Sequence, residues 1–292
     1  MHFKVRLQDH CVRTRYFISF RMSRHYHSDV ARNVSILGAK LKFPSGKIAQ
    51  NRFLKASTST FTSSVSTDFY EERYGMTIIG NINTFVDREV SDELVKQIGS
   101  LVVVQFSRDH DPVEAAKYVR EARFDGVQLH SQPDVSKIHE AIRQQCPAST
   151  GFMIGLKVDS DDFTSEKISL KEALKTCEEY ERTGFDFVEF SFEPQNESSV
   201  LEFAEQIRPV FKDTVVYMTM RYPTVRSMVE AVTSGATQGI GIGHPTIRTD
   251  LPKKILEGTV TTVIRYVSDN ENKEPVPKAR SFVKLDGARV KT

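Results

Sequence analysis

From residue 36 onward, short apolar runs of strand length alternate with segments whose apolar positions recur at helical spacing. The runs are Arg52–Ser57, Thr77–Asn81, Leu101–Gln105, Gly126–His130, Met153–Val158, Phe187–Ser191, Val215–Thr219 and Gly239–Gly243. Between them the pattern predicts helices over Val113–Arg123, Val135–Gln145, Leu170–Arg182, Glu197–Phe211 and Val225–Ser234. Their ends carry matching signals. Asp111 and Ser169 stand where N-caps belong, Pro112 suits a first helical turn, and Gly184 and Gly235 suit helix stops. Ahead of the series, Leu41-Lys42-Phe43, Pro44-Ser45-Gly46 and Lys47-Ile48-Ala49 read as a short hairpin.

Strands alternating with helices imply parallel βαβ units. Eight of them suggest a closed, compact (β/α)8 TIM barrel with an N-terminal hairpin and flexible termini; an open doubly wound sheet is the structural alternative. The expected organisation is a basic extension over 1–36, the barrel over 37–266 and a polar tail over 267–292. The glycines of Gly239-Ile240-Gly241-Ile242-Gly243 invite comparison with a dinucleotide fingerprint. They fall at the end of the series instead of its first turn, and no acidic ribose ligand follows at the right distance.

Composition narrows the classes. A net charge of +2 argues against a dedicated nucleic-acid partner, and no apolar run approaches membrane-spanning length. Three cysteines without CxxC spacing fit a reducing compartment and neither a disulfide framework nor a zinc site. Residues 1–34 hold seven Lys or Arg against two Asp. This reads as a solvated extension of a cytoplasmic protein or, alternatively, as a mitochondrial presequence. The oligomeric state is not encoded in any pattern here.

Function in such a barrel sits at the carboxyl ends of its strands. Those ends carry Ser57-Thr58-Ser59, Asn81, Gln105, His130, Lys157, Glu189, Ser191, Thr219 to Tyr222, and Gly243-His244, a set more polar than barrel filling requires. Lys157 interrupts the apolar run Phe152–Val158. An inward lysine there would need an anion or polar ligand to offset its desolvation; an outward one would snorkel between helices. His130 reads either as a satisfied structural imidazole or as a proton donor at the mouth.

The segments PSGKIAQNRFLKAS, YEERYGMTIIGNI, FDGVQLH, MIGLKV, FDFVEFS and VVYMTMRYPTVRSMVEAV, followed by GATQGIGIGHP, resemble the old yellow enzyme family in order and spacing over residues 37–266. That family comprises FMN-dependent NADH:flavin oxidoreductases, so the resemblance implies a shortened, divergent flavoprotein. Its cofactors would be FMN and, as reductant, NAD(P)H, and its substrate a small acceptor such as an activated alkene. The resemblance places Ser57, Thr58 and Ser59 against the flavin, Gln105 on its pyrimidine edge and Lys157 at the position of a flavin-contacting arginine. It also implies that His130 binds the substrate's electron-withdrawing group.

The departures are specific. The family's second substrate donor falls at Pro133, which has no side-chain hydrogen to give. Where the family has glycines around the phosphate, this chain has Met220 and Arg221, and His244 follows Gly243 where the family has arginine. Side chains at Met220 and Arg221 are expected to enter the phosphate space, while Arg221 and His244 offer replacement charges. Losing one charge-assisted contact costs about 1.5–3 kcal/mol, one to two decades of affinity, so weakened micromolar FMN binding is the expectation. The alternatives are a degenerate, noncatalytic barrel with a binding or scaffolding role and, third, a barrel using Arg221 and His244 for a sugar phosphate.

Overall fold

The computed structural model describes residues 34–57, 73–82, 95, 98–106, 110–159, 169–192, 197–243 and 250–263. A two-stranded antiparallel hairpin, β1 (Leu41–Lys42) and β2 (Ile48–Ala49), leads into a ring of eight parallel strands. The ring runs β3 (Phe53–Lys55), β4 (Met76–Ile82), β5 (Leu101–Phe106), β6 (Gly126–His130), β7 (Met153–Asp159), β8 (Phe187–Ser191), β9 (Val215–Thr219) and β10 (Gly239–Ile242). β10 returns to pair with β3, so the sheet is closed. The fold is the (β/α)8 barrel that the alternation predicts, and the open sheet is excluded. β6, β8 and β9 have the expected ends; the remaining strands differ by one to three residues.

The described helices are α1 (Pro112–Glu121), α2 (Val135–Gln145), α3 (Leu170–Thr183), α4 (Glu197–Ile207), α5 (Val225–Thr233) and α6 (Leu251–Leu256). Asp111 caps α1, its Oδ1 accepting the Val113 and Glu114 amides at 2.9 Å. Ser169 and Glu172 form a reciprocal capping box on α3, which stops at Gly184 with φ 85°. α4 ends earlier than the apolar spacing suggests and passes into a 3-10 turn at Arg208–Val210. Pro209 has no amide hydrogen to continue the ladder. α6 has no counterpart among the expected helices.

Strand alternation divides the apolar residues into an inner core and two clusters under the helices. Inside, Phe187 and Tyr217 cross the barrel, and Phe43 of the hairpin closes it from below. The Phe43 ring stacks on Tyr217 at 6.5 Å and meets Phe187 edge-on at 6.3 Å. These rings need glycine opposite them. A Cβ on Gly155 would lie 2.1 Å from the Phe187 ring, one on Gly239 2.2 Å from Tyr217, and one on Gly241 1.8 Å from the Thr219 hydroxyl. The glycine run of β10 is therefore a packing device inside the barrel, which accounts for its mismatch with a nucleotide fingerprint.

The amino ends of the strands are clamped by acids that stand immediately before β6 and β8. Asp125 accepts the Val102 amide at 2.8 Å and the Lys47 ammonium at 2.6 Å. Asp186, fully buried, accepts the Ser45 and Ile154 amides at 2.8 Å and the Arg143 guanidinium at 2.6 Å. Both acids thus tie a neighbouring strand and the hairpin to the same end of the barrel.

Candidate functional site

The opposite end is built by the same alternation. On β6, Gly126, Gln128 and His130 share the inward parity; on β7, Met153, Gly155 and Lys157 share it. Lys157 therefore points inward, and the snorkelling alternative is excluded. Its side chain is 15% exposed, with Nζ 3.9 Å from Asp159 Oδ1. At that distance the pair is loose, and the ammonium keeps hydrogens to offer a ligand. His130 pairs in register with Lys157 on the neighbouring strand, which sets both side chains side by side at the mouth.

Beneath them a chain of hydrogen bonds crosses the barrel. Gln105 Nε2 donates to Gln128 Oε1 at 3.1 Å, and Gln128 Nε2 donates to Glu189 Oε2 at 2.7 Å. The other Glu189 oxygen accepts the Thr219 hydroxyl at 2.7 Å. Gln105 and Gln128 are each 2% exposed and Glu189 is fully buried. Gln105 is thus a floor residue of the mouth, with one amide hydrogen already committed. Gln128 was not among the residues expected to matter. The signal for it was present in Gly-Val-Gln-Leu-His, where the polar residues occupy one parity and the apolar ones the other.

Beside His130 a cavity of about 90 Å³ opens between the ends of β5 and β6 and helices α1 and α2. Its walls include Phe106, His110, Leu129, His130, Gln132 and Ile138. His110 also escaped the sequence reading, because its loop position carries no periodic signal. Its ring lies 5.6 Å from that of Phe106. Small-molecule pockets usually measure about 300–1,000 Å³, so this cavity suits a fragment and not a tricyclic ring. Pro133 is exposed and leads into Asp134, whose φ of 64° starts α2 without a side-chain cap.

The region after β9 is organised differently from expectation. Met220 packs against the apolar cluster around α5 instead of standing in an open cradle, while Arg221 is exposed. Tyr222 is buried and its hydroxyl donates to Met218 O at 3.2 Å. The start of α5 is closed by the protein itself. Thr224 Oγ1 accepts the Ser227 amide, the Val225 amide donates to Thr261 O, and the Val263 amide donates to Pro223 O. Those amides have no hydrogen left for an anion. Ser57 and Gly243 are half-buried at the rim, whereas Thr58, Ser59 and His244 lie outside the described residues.

No protein-family profile matches the chain, and no curated protein does. Solved structures do. Morphinone reductase in complex with tetrahydroNAD superposes with a TM-score of 0.58 at 13% identity, covering 77% of this chain and 92% of that one. The structure of TcOYE with pHBA gives 0.60 at 12% identity, covering 80% and 96%. A 2-naphthoyl-CoA reductase complex gives 0.62 at 13% identity over 78% of this chain, which spans about half (54%) of that protein. N-(5'-phosphoribosyl)anthranilate isomerase from Pyrococcus furiosus also shares the barrel, at 0.50 and 12% identity over 72% and 98%. At such identities the likeness establishes the fold. Reductases of the old yellow enzyme type are among its structural neighbours.

Among the described residues, no three His, Cys, Asp or Glu side chains are grouped to hold a metal ion, and no helix is long and apolar enough to cross a membrane. Cys146 and Cys177 are buried and unpaired by disulfide, and burial raises both thiols above their usual range, Cys177 to about 12. Around Cys146 the cations Arg120, Arg143 and Lys117 oppose the shift without overcoming burial, and neither thiol is accessible as a reactive thiolate must be.

Proposed function

We propose that the chain is an FMN-binding oxidoreductase that passes hydride from NAD(P)H through flavin to a small acceptor such as an activated alkene. The observation that carries this reading is the convergence of Gln105, His130 and Lys157 at the carboxyl ends of three consecutive strands, β5, β6 and β7. These residues fit the edge of a flavin ring. Gln105 keeps a carbonyl oxygen and one amide hydrogen, and Lys157 supplies a cation where reduced flavin concentrates negative charge. When bound, the cofactor supplies two-electron chemistry that no side chain offers.

The chain's own residues then orient and shield. His130 donates to the acceptor's electron-withdrawing oxygen, favouring the form that takes hydride. The cavity beside it holds the acceptor's apolar body, and its size restricts that body to a small fragment. Exposed Arg221 provides the phosphate charge, and His244 is proposed to add a second.

The second reading is a noncatalytic barrel of the same ancestry. What favours it is the burial of Gln105 at 2% exposure and the self-capped start of α5. The purified protein distinguishes the two by its visible spectrum and by titration with FMN. Saturable binding in the micromolar range, followed by NAD(P)H-dependent bleaching of the flavin band, is expected. Absence of binding at about 100 μM FMN rules out the oxidoreductase and leaves the noncatalytic barrel.

A further inference from the structure

The amides of Gln105 and Gln128 each have a donor end and an acceptor end, and two such groups in series can run in either sense. One end of the series is not symmetric. Glu189 is a carboxylate-bearing residue with both oxygens engaged, one by Gln128 Nε2 and one by the Thr219 hydroxyl. As a carboxylate it only accepts. Gln128 must then turn its Nε2 toward Glu189 and its Oε1 toward Gln105. Gln105 must in turn give one Nε2 hydrogen to Gln128, which leaves Oε1, beside the second Nε2 hydrogen, as its acceptor for a ligand. Lys157, the register partner of Glu189 on the neighbouring strand, places a cation close by.

We infer that Glu189 is a positioning residue: through Gln128 it fixes the sense of the Gln105 amide, so that the mouth selects a ring edge bearing an N–H donor, an imide or a lactam. The selection is made three side chains away from the ligand. It rests on the proposed flavin reading only in naming the imide N–H of the flavin pyrimidine as the group selected. The chain of amides stands without it.

The test moves the carboxylate along the chain. Gln128→Glu alone sets two buried carboxylates face to face. The double variant Gln128→Glu/Glu189→Gln shifts the acceptor by one link and restores a donor opposite an acceptor at every step, with Gln105 still giving Nε2. Thermal unfolding without ligand is expected to fall by about 5–10 °C in Gln128→Glu and to return to within about 2 °C of wild type in the double variant. A double variant as unstable as the single overturns the relay, whether or not the protein binds flavin.

The second arm uses FMN and its N3-methyl analogue, which lacks the imide hydrogen. Wild type and the double variant are expected to prefer FMN by about tenfold or more, and Glu189→Gln, in which both senses are available, by no more than about threefold. Full preference retained in Glu189→Gln overturns the positioning role. If wild type binds neither flavin, the flavin reading fails and the unfolding arm alone decides the relay.

Discussion

The two ends of the barrel use similar polar residues to opposite effect. At the lower end Asp125 and Asp186 saturate themselves on backbone amides, Lys47 and Arg143, within 2.6–2.8 Å. At the upper end Lys157 holds Asp159 only at 3.9 Å, and the Gln105 amide stops with its carbonyl oxygen uncommitted by the chain below it. Saturated buried charge holds strands in register; unsaturated polar groups at the mouth are what a ligand needs. The division follows the usual separation of stability and chemistry between the faces of this fold.

The sharpest way to break the contrast is to remove Asp186. Asp186→Ala leaves Arg143 without its carboxylate, holding only the Phe152 carbonyl, and two amides without their acceptor, which should cost about 3–5 kcal/mol in chemical denaturation. A loss below 1 kcal/mol would mean that the lower clamp is not structural. Acid tests the same end. His139 is 6% exposed and packs edge-on against Phe185 at 4.8 Å. Burial, with Arg143 nearby, lowers its pKa from 6.5 to about 4. The unfolded chain therefore takes up a proton that the folded protein refuses. Stability from this group is complete above pH 6.5 and is lost as the pH falls toward 4, by up to about 3 kcal/mol. His139→Phe should flatten that part of the urea midpoint against pH; an unchanged slope would assign the acid sensitivity elsewhere.

Packing between the ends comes next. Gly155→Ala puts a methyl group into the Phe187 ring, and overpacking of this kind costs about 1–3 kcal/mol. A neutral result in thermal unfolding would show that the ring has room to move. The smallest stability effect belongs to the mouth: Lys157→Met should change unfolding by less than about 1 kcal/mol while weakening FMN by about tenfold. The reverse pattern, a large stability loss with FMN affinity intact, would make Lys157 part of the framework.

Most of the frame was legible because it follows from local rules. Short apolar runs between helix-period segments marked the strands, and Asp111, Ser169 and Gly184 marked helix ends through their own hydrogen bonds or backbone angles. What failed locally was tertiary in origin. The glycines of β10 serve Tyr217 and Thr219 on the neighbouring β9, contacts that one strand's sequence does not reveal; α4, by contrast, stops at Ile207 ahead of Pro209, a local signal that the apolar spacing had overridden. The mouth was half legible. Polar residues at strand ends pointed to it, but the inward course of Lys157 and the linkage from Gln105 to Glu189 depend on which strands become neighbours. Likewise, the family resemblance put Met220 into a phosphate cradle, and the apolar cluster around α5 draws its side chain in instead.

The most direct measurement is a crystal structure of the protein soaked with FMN. Ring density is expected over the mouth, with the pyrimidine edge at Gln105, Lys157 within hydrogen-bond reach and the phosphate toward Arg221. A flavin found elsewhere on the barrel, or a mouth that stays free of flavin at saturating FMN, would contradict the flavin reading.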